Sequence, residues 1–151
     1  MKRIIIIILS IILFTPVLEA QRKSCRKFHL YAECNANPGP RFKYDGQSRS
    51  NIIGVGDQLI YNLVFYSSRE YNLSFCTSEY FEPIHIQLID AETEDVLYDN
   101  SEDEFRQVIT MNVDFTQRIK ILVEIKAESM TEEEKMEFLG CLGMMIQYKK
   151  S

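Results

Sequence analysis

The sequence predicts an all-β protein, an antiparallel β-sandwich of jelly-roll type with about eight strands, on three observations. Apolar and polar residues alternate with a period of two across the longest hydrophobic segments. Turn signals separate those segments at spacings of roughly 8 to 15 residues. Several segments also carry apolar residues on their second face, among them Val64, Tyr66, Leu122 and Ile146, which a single sheet would leave in water. Two packed layers are the economical answer.

The first 20 residues stand apart from that pattern. "MKR" supplies a short positive start, residues 4–14 ("IIIIILSIILF") an apolar run, Pro16 a break, and Leu18-Glu19-Ala20 a cleavage site ending in a small residue. This is the pattern of a secretory signal peptide. The run is shorter than the roughly 20 residues a spanning helix needs, and no cysteine follows Ala20 for lipid attachment. The expected mature chain begins at Gln21, has no transmembrane segment, and is secreted or periplasmic. Residues 21–41 read as a polar, disulfide-bearing segment and linker ending in "NANPGPR", where Pro38, Gly39 and Pro40 exclude regular structure. Residues 42–151 read as the sandwich domain.

Within that domain, "QLIYNLVFY" sets Leu59, Tyr61, Leu63 and Phe65 against Ile60, Asn62, Val64 and Tyr66. "YNLSFC" sets Tyr71, Leu73 and Phe75 against Asn72, Ser74 and Cys76, and "IHIQLID" sets Ile84, Ile86 and Leu88 against His85 and Gln87. "RIKILVEIK" alternates most cleanly, with Ile119, Ile121, Val123 and Ile125 inward and Lys120, Glu124 and Lys126 outward. Such patterns belong to strands with one buried and one wet face. Shorter candidates cover residues 50–54, 95–98, 105–113 and 141–148. "SMTEEEKMEFLG" breaks the period: Thr131 and Glu134 form a capping box, and acids suit a helix N-terminus, so a short helix is expected over 131–138.

Of 17 basic and 22 acidic residues, removal of the first 20 takes Lys2, Arg3 and Glu19, leaving a net charge of -6 on 131 residues. That sign offers no electrostatic footprint for nucleic acid and excludes it as an expected partner. The length suits one domain with a real core. All four cysteines, Cys25, Cys34, Cys76 and Cys141, follow the leader, and an even count in an exported chain points to two disulfides. Three connectivities are possible. Cys25–Cys34 with Cys76–Cys141 is favoured, because the first two share one segment and the others end and begin strands. A four-cysteine zinc site fails on spacing.

Candidate sites are sparse. "LYDNSEDEF" places Asp99, Ser101, Asp103 and Glu104 close together, a candidate calcium set, but an EF-hand needs Gly and Glu where Glu104 and Thr110 stand. An acidic, solvated turn is the stronger reading, since Asn and Ser initiate turns through their own backbone. Only His29 and His85 are available for nucleophilic or general-base chemistry, and His85 lies on the polar face of its strand, where a solvated side chain is the usual finding. There is no Trp to build a sugar platform among the 8 Tyr and 9 Phe, which otherwise suit core and strand pairs. Tyr44, Tyr66, Tyr80 and Phe81 are least explained by alternation and form the candidate binding face. No cofactor is expected.

The run from "GDQLIYNLVFYSSREYNLSF" through "IHIQLIDAETEDVLYDNS" to "RIKILVEI" and "GCLGMMIQYK" resembles the pre-peptidase C-terminal type of β-sandwich. More narrowly, "CRKF", "YDGQSRS", "LVFY", "LYDNSEDEF" and "GCLG" resemble a family of uncharacterised exported proteins of Bacteroidetes. The resemblance implies a fold and an address. Together these readings point to a non-catalytic exported module, binding or structural, whose partner is an envelope protein, a peptide or a glycan. A calcium-stabilised adhesion or accessory domain and a hydrolase lacking familiar motifs are the alternatives.

Overall fold

A computed structural model describes residues 25–31, 34, 37–78, 83–126, 131 and 139–150. Among them nine strands form: β1 (Lys43–Tyr44), β2 (Arg49–Gly54), β3 (Gln58–Phe65), β4 (Arg69–Thr77), β5 (Ile84–Asp90), β6 (Val96–Asp99), β7 (Val108–Val113), β8 (Gln117–Ile125) and β9 (Leu139–Lys150). The first sheet runs β1-β9-β4-β7, with β2 also paired to β9, and the second runs β3-β8-β5-β6. Every pairing is antiparallel. The all-β sandwich read from the alternation is the fold. The signal peptide and the helix expected over 131–138 lie outside the described residues, apart from Thr131.

The faces predicted as inward pack between the sheets. Tyr61, Leu63 and Phe65 of β3, Ile84, Ile86 and Leu88 of β5, and Ile119, Ile121, Val123 and Ile125 of β8 meet Tyr71, Leu73, Leu142, Met144 and Ile146 of the first sheet. Each fully buried aliphatic side chain contributes roughly 1.5–3 kcal/mol relative to exposure. Phe65 and Tyr71 meet edge to face at 4.8 Å across the layers. The second faces are not all buried. Ile146 is in the core, but Tyr66 remains 48% exposed and Ile60 54% exposed, because a two-layer sandwich buries only one face of each sheet.

The outer face of the first sheet is not wet either. Asn72, Ser74 and Cys76, read as a polar face, are all buried, and the N-terminal segment around Cys25–Tyr31 and Cys34 reaches Ser74 and Cys76 through Cys34. That segment makes a 3-10 turn at Phe28–Leu30, and Phe28 packs on Cys34, Cys76 and Met145. Two disulfides hold it: Cys25–Cys141, with Cα atoms 5.3 Å apart, and Cys34–Cys76, 5.0 Å apart.

The pairing favoured from sequence spacing is therefore wrong, and the register explains why. Cys76 stands opposite Gly143 on β9, so Cys141 is its diagonal neighbour. Diagonal neighbours lie roughly 7–8 Å apart, their Cβ atoms somewhat closer, still beyond the roughly 3.5–4.5 Å between the Cβ atoms of a disulfide. Each strand cysteine instead takes a partner from the segment above. By loop-closure entropy, separations of 116 and 42 residues correspond to roughly 4–5 kcal/mol for each bridge formed alone.

Candidate functional site

The acidic stretch after β6 is an organised turn. β6 stops pairing at Asp99, and Asn100 continues the contact with β5 through its side chain. Asn100 Oδ1 accepts from the Ile86 N–H at 2.8 Å, and Nδ2 donates to the carbonyls of Ile84 at 2.9 Å and Arg106 at 3.1 Å. The residue is fully buried, so its amide does the work of a short strand. Its own carbonyl accepts from Asp103 and Phe105. The loop closes through Glu104 and Phe105, both at positive φ (51° and 54°), a conformation uncommon outside Gly and Asn.

Asp99 caps the 3-10 turn at Asn100–Glu102. Its Oδ1 accepts from the Ser101 N–H (2.9 Å), the Ser101 hydroxyl (2.6 Å) and His85 Nε2 (2.9 Å), and its Oδ2 accepts from Gln87 Nε2 (2.6 Å). Burial pushes this carboxyl up, but the Ser101, Gln87 and His85 hydrogen bonds outweigh it and hold the group well below the usual carboxylate range. His85 Nδ1 faces Glu124 Oε2 at 3.3 Å. Both carboxylates accept at once only when the imidazole carries both protons. His85 lies on the outer face as expected but is not solvated: its side chain is 12% exposed, enclosed by Asp99 and Glu124.

Of the four candidate calcium ligands, Asp99 and Ser101 are bound to each other. Asp103 turns to Tyr98, whose hydroxyl donates to it at 3.0 Å, and to Arg106 at 3.4 Å. Burial pushes the Tyr98 phenol up, and Asp103 adds to the effect. Glu104 is exposed. Among the described residues, no group of three or more His, Cys, Asp or Glu side chains is placed to hold a metal ion.

Of the candidate binding face, Tyr44 and Tyr66 are among the described residues. Tyr44, on β1, packs on the outer side of the first sheet. His29 Nε2 lies 3.2 Å from its hydroxyl, and the two rings stack at 6.2 Å. His29 also meets the Ser50 hydroxyl through Nδ1 at 2.7 Å, and burial pushes its pKa down. Tyr66 follows β3, and the Arg69 guanidinium sits between its ring and that of Tyr148, at 4.9 and 4.4 Å. Tyr80 and Phe81 lie outside the described residues.

A cleft that the sequence did not announce lies beside the acidic turn. It occupies about 450 Å³ between β6, the last strand of one sheet, and β7, the last strand of the other. Leu88, Ile109, Met111 and Ile119 line its interior, Leu97 and Tyr98 one wall, and Asp103 and Arg106 one end. The volume falls in the range of small-ligand and peptide pockets, roughly 300–1,000 Å³. The opposite flank is stitched shut. Gln47 Nε2 donates to the Val64 carbonyl at 2.9 Å while Gln47 Oε1 accepts from the Val64 N–H at 3.0 Å, and the Tyr61 hydroxyl reaches Asn51 at 3.1 Å. Nothing in the alternation distinguishes β7 from an interior strand, so sequence reasoning had no signal for the opening.

No family model matches the chain, and no curated protein does. Among solved structures the chain is similar to Aeromonas hydrophila PliG, a periplasmic lysozyme inhibitor of g-type lysozyme, at 9% identity and a TM-score of 0.47 over 74% of this chain and 89% of that one. It is similar to Salmonella Typhimurium PliG, described in the same words, at 16% identity and a TM-score of 0.42 over 68% and 89%. Neither value reaches the range in which two chains share a fold, so the likeness assigns no partner to this chain. Among the described residues, no helix is long and apolar enough to cross a membrane.

Proposed function

We propose that this chain is an exported, non-catalytic binding module of the cell envelope. The observation that carries the reading is the asymmetry of the two flanks: one is closed by side-chain hydrogen bonds, and the other opens on an apolar cleft with a polar end. A purely structural domain has no use for an open flank, whereas a recognition domain does. The disulfides support export, since such bonds persist in oxidising compartments.

The test is photo-crosslinking in the native host, with a photoreactive residue at exposed surface positions and mass-spectrometric identification of the adducts. Reproducible adducts to one class of envelope molecule are expected. Their absence from every surface position would defeat the binding reading. Turnover on an ester, peptide and glycan panel that His85→Ala abolishes would replace it with the hydrolase.

A further inference from the structure

Two edge strands flank the cleft, and only one is protected. β6 has four residues, shifts register against β5 at Leu88/Ile89, and follows the acidic turn 90–95. Shortness, irregularity and charge are the usual devices that keep an edge from pairing. β7 has none of them. Its six residues, "VITMNV", hold no charge and no proline, and they pair with β4 in unbroken register. Val108, Ile109, Thr110 and Val113 are also strong strand formers. An unprotected edge of this kind in a folded protein is a template for another strand.

We propose that β7 is the docking edge for an extended segment of a partner protein. That segment would add to the first sheet as a further strand, with alternate apolar side chains in the cleft and basic residues toward its two ends. The proposal deepens the binding-module reading and rests on it.

The side chains fit this occupant. Ile109 and Met111 point inward from β7, while Val108, Thr110 and Asn112 are exposed. A strand laid beside β7 carries the same period of two, so every second side chain enters the cleft between Met111 and Leu97. Exposed Leu97 (50%) and Val108 (38%) lose water contact when it binds. Both ends of the cleft are acidic: one carries Asp103, in the turn that also exposes Glu102 and Glu104. At the end of the cleft near Asn112 and Gln117, Asp114 is exposed in the β7–β8 turn beside Phe115, 68% exposed. The 90–95 turn reaches the same end through the Ala91 N–H to Arg118 carbonyl bond. Arg118 and Lys120 pair with Glu92 and Glu94 there, and Asp95 is exposed. An acidic end beside an aromatic ring favours Lys or Arg on the incoming strand.

The test uses the oxidised full-length mature chain and a fluorescent octapeptide of alternating Val and Thr with Lys at both ends. Two further versions are N-methylated, one at the odd residues and one at the even. Strand addition uses only one edge of the peptide, so one N-methyl version binds at least about tenfold more weakly and the other does not. Leu97→Lys and Val108→Lys also weaken binding at least about tenfold while melting within about 2 °C of the parent, because both positions are exposed. Equal binding of both N-methyl peptides overturns the proposal, since the cleft then takes side chains as a small-molecule pocket. Unaltered binding to both lysine variants, or no binding at millimolar peptide, overturns it too. So does self-association that Leu97→Lys abolishes, which makes the occupant a second copy. In the host, photo-adducts from position 97 but not from position 60, on the outer face of β3, agree with it. Adducts from position 60 alone sink the edge proposal and leave the binding module standing.

Discussion

The position of the 25–34 segment can be tested at one glycine. Gly143 stands opposite Cys76 on β9, directly under the Cys34–Cys76 bridge. A Cβ at that position would run into Cys34 Sγ and come within 2.9 Å of both Cys76 Sγ and the Cα of His29. Carbon contacts prefer roughly 3.5–4.0 Å. None of the three atoms can swing away, since two are crosslinked and one is backbone. Overpacking of this kind costs about 1–3 kcal/mol. It opposes the gain of about 0.4–1 kcal/mol that Gly→Ala brings by restricting the unfolded chain. Gly143→Ala should therefore lose about 1–2 kcal/mol, which for a domain of this size lowers Tm by about 3–8 °C. Gly46→Ala is the control: no atom lies within 4 Å of its added carbon, so its melting point should hold or rise slightly. The assay is thermal denaturation followed by circular dichroism, with a thiol count to show both bridges intact. In a Cys34→Ala/Cys76→Ala background the sulfurs are gone and the penalty shrinks, giving non-additivity of neighbours. A Gly143→Ala protein that melts at or above the parent, fully oxidised, would mean that the segment does not lie on β9.

Three other outcomes follow from buried polar groups. His29 is kept neutral by burial, its pKa pushed below 6.5, so the unfolded chain binds the extra proton first. Stability is complete above about pH 6.5 and falls as pH drops through the lowered value; His29→Gln should flatten the urea midpoint between about pH 7 and 5. Burial pushes the Tyr61 phenol up to about 12, against the opposing pull of Arg49. The unfolded phenol ionises near 10, so roughly 3 kcal/mol is lost as pH climbs from 10 to 12; Tyr61→Phe should remove that alkaline slope. Asn100→Ala leaves the Ile86 N–H and the Ile84 and Arg106 carbonyls without their partner, at a cost of about 2–4 kcal/mol by denaturant titration. A loss under about 0.5 kcal/mol would show that the turn does not depend on this amide.

What the sequence reveals here follows the range of the interaction. Period-two segments announce themselves because the alternation is local, and β3, β5 and β8 fall within a residue or so of their expected limits. β1 went unseen: two residues, Lys43 and Tyr44, carry no periodicity and become a strand only because β9 runs past them. The acidic stretch was legible as a turn, since Asn100 and Ser101 are turn formers. That Asn100 would be fully buried was not, because its partners lie on β5, 14 and 16 residues away. The disulfides were legible in number and not in pairing. Connectivity depended on the register of β4 against β9, and that register is set by packing across the whole sheet. The cleft depended on strand order, which is less local still.

The two outer faces show why the N-terminal segment belongs to the fold. On the second sheet the outer face of β5 and β8 carries paired groups: Lys120 and Arg118 pair with Glu94 and Glu92, and His85 lies between Asp99 and Glu124. The first sheet has no such arrangement at its centre. Ser74, Cys76, Gly143 and Met145 leave a shallow, weakly polar surface, and Ser74 finds its partner only in the Cys34 carbonyl above it. His29 likewise bridges the segment to Ser50 of β2 and Tyr44 of β1. Without the segment, the donor on Ser74 and the sulfur of Met145 would face solvent beside two thiols. The segment is too short to stay by packing alone, since among the described residues Phe28 is its one non-cysteine apolar side chain in the small cluster with Cys34, Cys76 and Met145. Covalent closure makes up the difference. Oxidation therefore completes the first sheet's outer layer as well as crosslinking the chain, and the open β6–β7 flank remains an apolar surface that the disulfide-held segment does not cover.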